Sequence, residues 1–248
     1  MTAVNKKKIY ALHEFVRKGR IENVIDLIHL GTNVNLKDDV LEYTPLMHAL
    51  HQFDIAKILI DAGADIEIRD ISQQTILHKV TQNTTNSVFI KYLIDKGALL
   101  DATDSEGNMA MHYSAAYGNT DVLKLLINDN GIDRANNAGK TMLHLAVEFN
   151  SIDNTKYLLN HNADVNLPDN KGCLPLHYAC GMSLSQKNNG EFDVYFSNEE
   201  IIKEKELHFS ITKILIENGS NKTFKDISGN LPIDYARESG NDLILEYL

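Results

Sequence analysis

The stretch Gly107-Asn108-Met109-Ala110-Met111-His112-Tyr113-Ser114-Ala115-Ala116-Tyr117-Gly118-Asn119-Thr120-Asp121-Val122-Leu123-Lys124-Leu125-Leu126-Ile127 reads as a turn, a short helix, a second turn and a second helix. Gly107 permits a tight turn with positive φ. Ser114 and Ala115 are small, so another element can approach closely. Gly118 breaks the first helix. Val122, Leu125 and Leu126 then recur at i, i+3, i+4, one apolar face of a helix. A helix pair of this size cannot bury that face alone and requires neighbours of the same shape.

The neighbours are in the sequence. With Met109 as phase marker, three residues before His112, the same phase falls on Tyr10 (Tyr10-Ala11-Leu12-His13), Thr44 (Thr44-Pro45-Leu46-Met47), Thr75 (Thr75-Ile76-Leu77-His78), Thr141 (Thr141-Met142-Leu143-His144), Leu174 (Leu174-Pro175-Leu176-His177) and Leu231 (Leu231-Pro232-Ile233-Asp234). The steps between markers are 34, 31, 34, 32, 33 and 57 residues. Five of them cluster near a period of about 33, and the last is one period plus roughly 24 residues. That period and the Thr-Pro-Leu-His-like markers resemble the ankyrin-repeat family over essentially the whole chain. The resemblance implies a single all-α ankyrin-repeat solenoid of about seven helix-turn-helix units with short β-turn projections. The expected units are 9–35, 36–68, 69–101, 102–134, 135–167, 168–223 with an insertion at about 181–204, and a C-terminal cap at 224–248.

Composition narrows the function. The net charge of −10 argues against nucleic acid, which calls for a basic stripe, and against an anionic membrane surface. No run of about 18 apolar residues is present, so no transmembrane helix is expected. Lys6, Lys7 and Lys8 read either as a nuclear-import patch or as a solvated terminus. Cys173 and Cys180 supply neither a disulfide framework nor a zinc motif, which suits a reduced compartment. A cytoplasmic monomer without cofactor is expected, with the nucleus as alternative location. The bias to Asn (25), Ile (24) and Lys (19) over Arg (5) suits an AT-rich coding sequence, such as that of a poxvirus, another large DNA virus or an intracellular pathogen.

Several local expectations follow. Pro45 opens the first helix of the second unit, and the turn after Leu50 is about two residues short. In the third unit Lys79, Val80 and Thr81 replace small residues, the polar turn 81–86 lacks Gly, and a softer contact is expected. Val88, Tyr92 and Leu93 form the face of its second helix. Asn130-Gly131 shifts a helix end by one residue. Asn150 and Asn162 stand where other units have positive-φ glycines. Ser197 and Glu200 form a capping box that starts one long helix, from about Asn198 to Glu217. Leu125 and Leu158 are core positions.

No enzyme is expected. Ten histidines invite a metal or catalytic reading, but His13, His78, His112, His144 and His177 share one repeat phase. In the family this His hydrogen-bonds backbone at the turn. Equivalent residues of adjacent repeats lie about 10 Å apart, whereas metal–nitrogen bonds are about 2 Å. His48 and His51 lack a third ligand in register. No phosphate-cradling loop or nucleophile–base pair is recognisable.

Binding is the better-supported class. The position after the motif His carries His48, Lys79, Tyr113, Leu145, Tyr178 and Tyr235, with Tyr117 and Phe149 one turn further on. Candidate partner-binding residues are therefore Tyr113, Tyr117, Leu145, Phe149 and Tyr178, together with Phe192, Tyr195 and Phe196 of the insertion. The alternative for each helix aromatic is packing on the neighbouring repeat. The insertion residues either fold back as a lid or present a patch. The turn-tip aspartates, Asp38, Asp70, Asp104, Asp169 and Asp226 among them, are turn-formers in the family. Asn35 and Asn166 resemble sites of asparaginyl hydroxylation in some ankyrin proteins. The expected function is a non-enzymatic protein–protein interaction module that binds and modulates a host cytoplasmic regulatory protein. The alternatives are a ubiquitin-ligase substrate adaptor, for which residues 224–248 leave no F-box-like tail, and an inhibitor of transcription-factor signalling through the concave face.

Overall fold

A computed structural model describes residues 10–83, 86–117, 119–127, 131–181 and 197–248. Among these residues the chain forms thirteen α-helices and one 3₁₀ turn, with no strand. Two compact units, 1–110 and 111–248, divide the contacts. The first holds α1 (Ala11–Arg17), α2 (Ile21–His29), the 3₁₀ turn Leu46–His48, α3 (Phe53–Asp61), α4 (Ile76–Asn83) and α5 (Ser87–Asp95). The second holds α6 (Ala110–Ala116, from its second residue), α7 (Thr120–Leu126), α8 (Met142–Glu148), α9 (Ile152–Asn160), α10 (Pro175–Gly181), α11 (Asn198–Glu217), α12 (Pro232–Ser239) and α13 (Asp242–Tyr247).

The second helices share one register, and in two of them an asparagine side chain caps the helix start. Asn119 accepts from Val122 N, and Val122, Leu123 and Leu126 are buried, at three, four and seven residues past the cap. Asn86 accepts from Phe89 N, so Phe89, Ile90 and Leu93 are buried, while Val88 is 63% exposed. The inward stripe is therefore i, i+1, i+4. This corrects two expectations: Phe89 and Ile90 take the core places assigned to Val88 and Tyr92, and Leu123 takes that of Leu125, which is half-buried. In α9 the same places hold Asn154, Thr155 and Leu158, all fully buried. Asn154 is satisfied there: its Nδ2 donates to the Ser114 and Ala115 carbonyls, and its Oδ1 accepts from Thr120 Oγ1.

The second repeat absorbs its shortfall differently from expectation. Its step of 31 residues leaves room for only the 3₁₀ turn Leu46–His48 as first helix, because Gln52 already caps α3. In the third repeat Lys79 does not point outward into solvent. It is buried, with Nζ 2.6 Å from Asp70 Oδ2 and 4.7 Å from the centre of the Tyr43 ring. Burial works to discharge it, but the Asp70 carboxylate and the Tyr43 hydroxyl outweigh burial and raise its pKa.

Asn150 and Asn162 take φ values of 58° and 64°, as expected of glycine substitutes. The Ser197–Glu200 capping box is present and α11 spans the expected residues. Within α11 the buried residues Ile211, Thr212 and Leu215 stand three, four and seven places past His208. His208 thus occupies the cap position of an ordinary repeat, and Asn198–Leu207 are an added arm. In the fifth repeat Ser151 N donates to the Ala146 carbonyl, and in the last repeat Asn241 N donates to that of Ala236. In the sixth, the equivalent Ala179 carbonyl accepts from His208 Nδ1 at 3.0 Å. The imidazole does the work of the displaced turn. Thr84, Thr85, Asn130 and residues 182–196 lie outside the described residues.

A candidate protein-binding groove

The motif histidines are engaged structurally, although among the described residues His13 Nδ1 and His177 Nε2 have no hydrogen-bond partner. In His78, His144 and His177 the Nδ1 accepts the backbone N–H three residues earlier, from Thr75, Thr141 and Leu174. The proton then sits on Nε2, which donates to the Asn108 carbonyl from His78 and to the Cys173 carbonyl from His144, each in the next repeat. His112 Nε2 reaches the Arg134 carbonyl at 3.0 Å, and His13 Nε2 reaches those of Leu36 and Tyr43. Burial lowers the pKa of His13, His78, His144 and His177, which keeps the rings neutral. Burial likewise pushes the Cys180 thiol up to about 12 and raises that of Cys173, so neither is a thiolate near neutrality. Among the described residues no cluster of three His, Cys, Asp or Glu side chains could hold a metal, and no helix is long and apolar enough to cross a membrane.

The turn aspartates also have structural work. Asp169 Oδ1 accepts from Lys171 N and Cys173 N, and Asp226 Oδ1 accepts from Ser228 N and Asn230 N. The other oxygen of each receives the side chain that follows the motif position. Tyr178 donates to Asp169, Tyr235 to Asp226, and His48 pairs with Asp38. Burial and the neighbouring carboxylate push both tyrosine pKa values far above the phenol range. Tyr178 is further enclosed by Lys140 Nζ over its ring and by an edge contact to His144. Leu145 follows a different turn residue, Asn136, and is half-buried. Tyr178 is therefore a clamp within its repeat, not a free anchor. Asn35 and Asn166 are bridges: each donates Nδ2 to a glycine carbonyl, Gly63 or Gly219, and accepts a backbone N–H, from Asp65 or Asn221.

Three expected residues do converge. The Tyr113 and Tyr117 rings are stacked at 6.5 Å between centres, and Tyr117 lies 6.1 Å from Phe149. Tyr117 is 56% exposed and Phe149 52%. Tyr117 and Phe149 sit where α6 and α8 end, whereas Tyr113 lies within α6 and outside the groove lining. Together with Ala116, Asn150, Ile152 and Leu207, Tyr117 and Phe149 line a groove of about 500 Å³. Leu207 comes from the added arm of α11, which the His208–Asn150 contact (Nε2 to Nδ2, 3.1 Å) fixes against the turn below. Asp153, in the first turn of α9, also lines the groove. Sequence reading missed Asn150, Asp153 and Leu207. The signal for Leu207 was the capping box at Ser197, which starts the helix before the repeat needs it. Phe192, Tyr195 and Phe196 lie outside the described residues.

Residues 1–70, 52–138 and 131–189 each match the family model described as ankyrin repeats (3 copies). The chain belongs to the ankyrin-repeat family, whose repeats form protein–protein interaction modules. It is 29% identical to chicken (Gallus gallus) inversin over 242 residues, 96% of this chain and 20% of inversin. It is 24% identical to a putative ankyrin repeat protein of Acanthamoeba polyphaga mimivirus over 262 residues, 96% of this chain and 34% of that protein. Human inversin is 31% identical over 148 residues, 58% of this chain and 14% of inversin, so the chain spans at most about a third of these relatives. Among solved structures, the ankyrin repeat domain of human ASB11 superposes with a TM-score of 0.74 at 22% identity, and that of Bcl-3 with 0.68 at 23%. Each comparison covers 94% of this chain and 96% of the other. At these identities the likeness concerns the fold.

Proposed function

We propose that this chain is a non-enzymatic protein-interaction module that binds and modulates a cytoplasmic regulatory protein of a host cell, and that the groove beside Tyr117 and Phe149 receives the partner. The observation that carries this reading is the half-exposed Tyr117–Phe149 pair facing a wall built by an added helix arm. Covering the exposed halves of two such rings removes on the order of 200 Å² from water. That contributes roughly 5 kcal/mol before the costs of association. The non-catalytic part is supported by the engagement of the motif histidines and the raised thiol pKa values. The host setting is supported by the Asn, Ile and Lys bias and by the likeness to a viral ankyrin protein.

The test is capture from eukaryotic lysate with the intact chain, with Tyr117→Ala/Phe149→Ala, and with residues 182–196 replaced by a Gly/Ser linker. Binding is then measured with the purified partner by calorimetry. Loss of affinity by about tenfold or more in the double variant, at unchanged thermal stability, is expected. Full affinity in the double variant with loss in the linker variant would move the binding surface to the insertion. A ligase subunit or a transcription factor as partner would establish one of the two alternative settings.

A further inference from the structure

His208 joins three elements, and its nitrogens are engaged differently from those of His78, His144 and His177. In those three the Nδ1 accepts a backbone N–H, so a second proton on the ring would set two donors face to face. His208 Nδ1 instead donates to the Ala179 carbonyl of α10 at 3.0 Å. Its Nε2 accepts from Asn150 Nδ2, in the turn between α8 and α9, at 3.1 Å. The other end of that amide, Asn150 Oδ1, is buried and has no hydrogen-bond partner among the described residues. The two ends of an amide have nearly the same shape, so a half-turn in place presents Oδ1 to Nε2. The ring can then donate where it now accepts.

A carboxylate stands beside the same nitrogen. Glu204, one turn earlier on α11, places Oε1 3.9 Å from Nε2, with the Glu204 and His208 side chains 10% and 2% exposed. With so little water between them, the carboxylate favours a proton on the ring far more than a surface carboxylate would. Other charged groups on the elements around His208 are paired elsewhere or exposed. On α11, Lys205 donates to the Gly240 carbonyl and Lys203 pairs with Glu199. Glu148, at the end of α8, pairs with Lys140. Asp153 and Lys156 on α9, and Asp242 and Glu246 on α13, are exposed. On α10, Tyr178 donates to Asp169, and burial keeps Cys180 a thiol.

We propose that His208 is a protonation latch that fastens the added arm, Asn198–Leu207, to the turn between α8 and α9. Neutral, the ring donates to Ala179 and accepts from Asn150. Protonated, it keeps Ala179, donates to Asn150 Oδ1 and pairs with Glu204. Proton uptake therefore exchanges one hydrogen bond for another and adds an ion pair. The folded chain takes this proton more readily than the unfolded chain. The stabilisation is fully present below about pH 6.5 and is lost as pH rises through the folded value. The sign is opposite to that of His78, His144 and His177, and the effect is local to the arm.

The full chain, with nitrogen-15 in its histidines, is titrated by NMR from about pH 5.5 to about pH 8.5, around the ordinary histidine value. His208→Gln identifies the His208 signals. Amide hydrogen exchange of the arm is followed over the same range, corrected for intrinsic rates and referred to α9. His208 is expected to titrate at or above about pH 6.5, while His78 and His144 stay neutral. Glu204→Gln lowers the His208 midpoint by about one pH unit. Arm protection is about tenfold greater at the acid end than at the alkaline end. That dependence is absent from His208→Gln and reduced in Glu204→Gln. A His208 ring that stays neutral throughout, a midpoint unmoved by Glu204→Gln, or arm protection independent of pH in the intact chain overturns the latch. The titration and exchange of the intact chain decide the matter even if a variant fails to fold.

Discussion

The Tyr178 hydroxyl donates to Asp169 Oδ2, nine residues earlier in the same repeat, while Asp169 Oδ1 holds the N–H groups of Lys171 and Cys173. One carboxylate thereby fastens the first helix to its own turn. Tyr235 and Asp226 repeat the arrangement, and Lys79 with Asp70 and His48 with Asp38 achieve it with nitrogen donors. In the fifth repeat the turn residue is Asn136 and the facing position is Leu145, so acid and donor disappear together.

Tyr178→Phe removes the donor and leaves a buried carboxylate oxygen short of a partner. Stability to urea falls by about 1–3 kcal/mol. Partner binding is unchanged, because Tyr178 is absent from the groove. A variant of wild-type stability would show that water replaces the hydroxyl at no cost.

Leu123→Ala costs about 2–5 kcal/mol, since Leu123 is fully buried. Leu158→Ala falls in the same range. Leu125→Ala costs markedly less, because Leu125 is only partly buried. Urea unfolding of the three variants tests the inward register; equal losses at 123 and 125 would contradict it.

Gly139 has φ +77°, and a Cβ there would lie 2.5 Å from Asn170 Oδ1 and 2.6 Å from Asn170 N. That N–H donates to the Ala138 carbonyl, which joins adjacent turns. Gly31 has φ +76° with nothing within 4 Å. Gly31→Ala meets only backbone strain, about 1–2 kcal/mol. Gly139→Ala adds the clash and is expected to cost about 3 kcal/mol or more. Thermal melting of both separates strain from crowding.

Acidification destabilises the fold. His13, His78, His144 and His177 have folded-state pKa values below the ordinary histidine value, with burial as the main cause. Below about pH 6.5 the unfolded chain therefore binds protons that the folded chain does not. The histidine contribution is fully present above that pH and declines as pH falls toward the folded values. At Asp38 and Asp226 burial acts to raise the pKa, but hydrogen bonds outweigh it, so both carboxyls lie below their ordinary value. Their contribution declines further down, below about pH 4. The urea midpoint should fall steadily from pH 7 to pH 5. A midpoint that rises on acidification would contradict neutral, buried imidazoles.

Some of this architecture is written locally. The period, the Gly or Asn that ends each helix, the Ser197–Glu200 box and the shared phase of the five histidines involve residues a few places apart. Turn chemistry and helix periodicity act over that range, so their signals survive in a single sequence. The inward stripe was less legible, because Val88 and Phe89 are both apolar and only the position of the helix start at Asn86 separates them.

The tertiary structure decided what the outward residues do. Lys79 and Tyr178 looked solvent-facing, yet each is spent on a carboxylate nine residues back. Tyr117, Phe149 and Leu207 meet across as many as 90 residues of chain. Their convergence depends on how successive repeats stack and on where the added arm of α11 lies. The sequence by itself determined an ankyrin-repeat chain with one interrupted repeat. Packing alone decided that the interruption builds a wall opposite two half-exposed rings, because that contact is a sum of helix positions and not a property of any one segment.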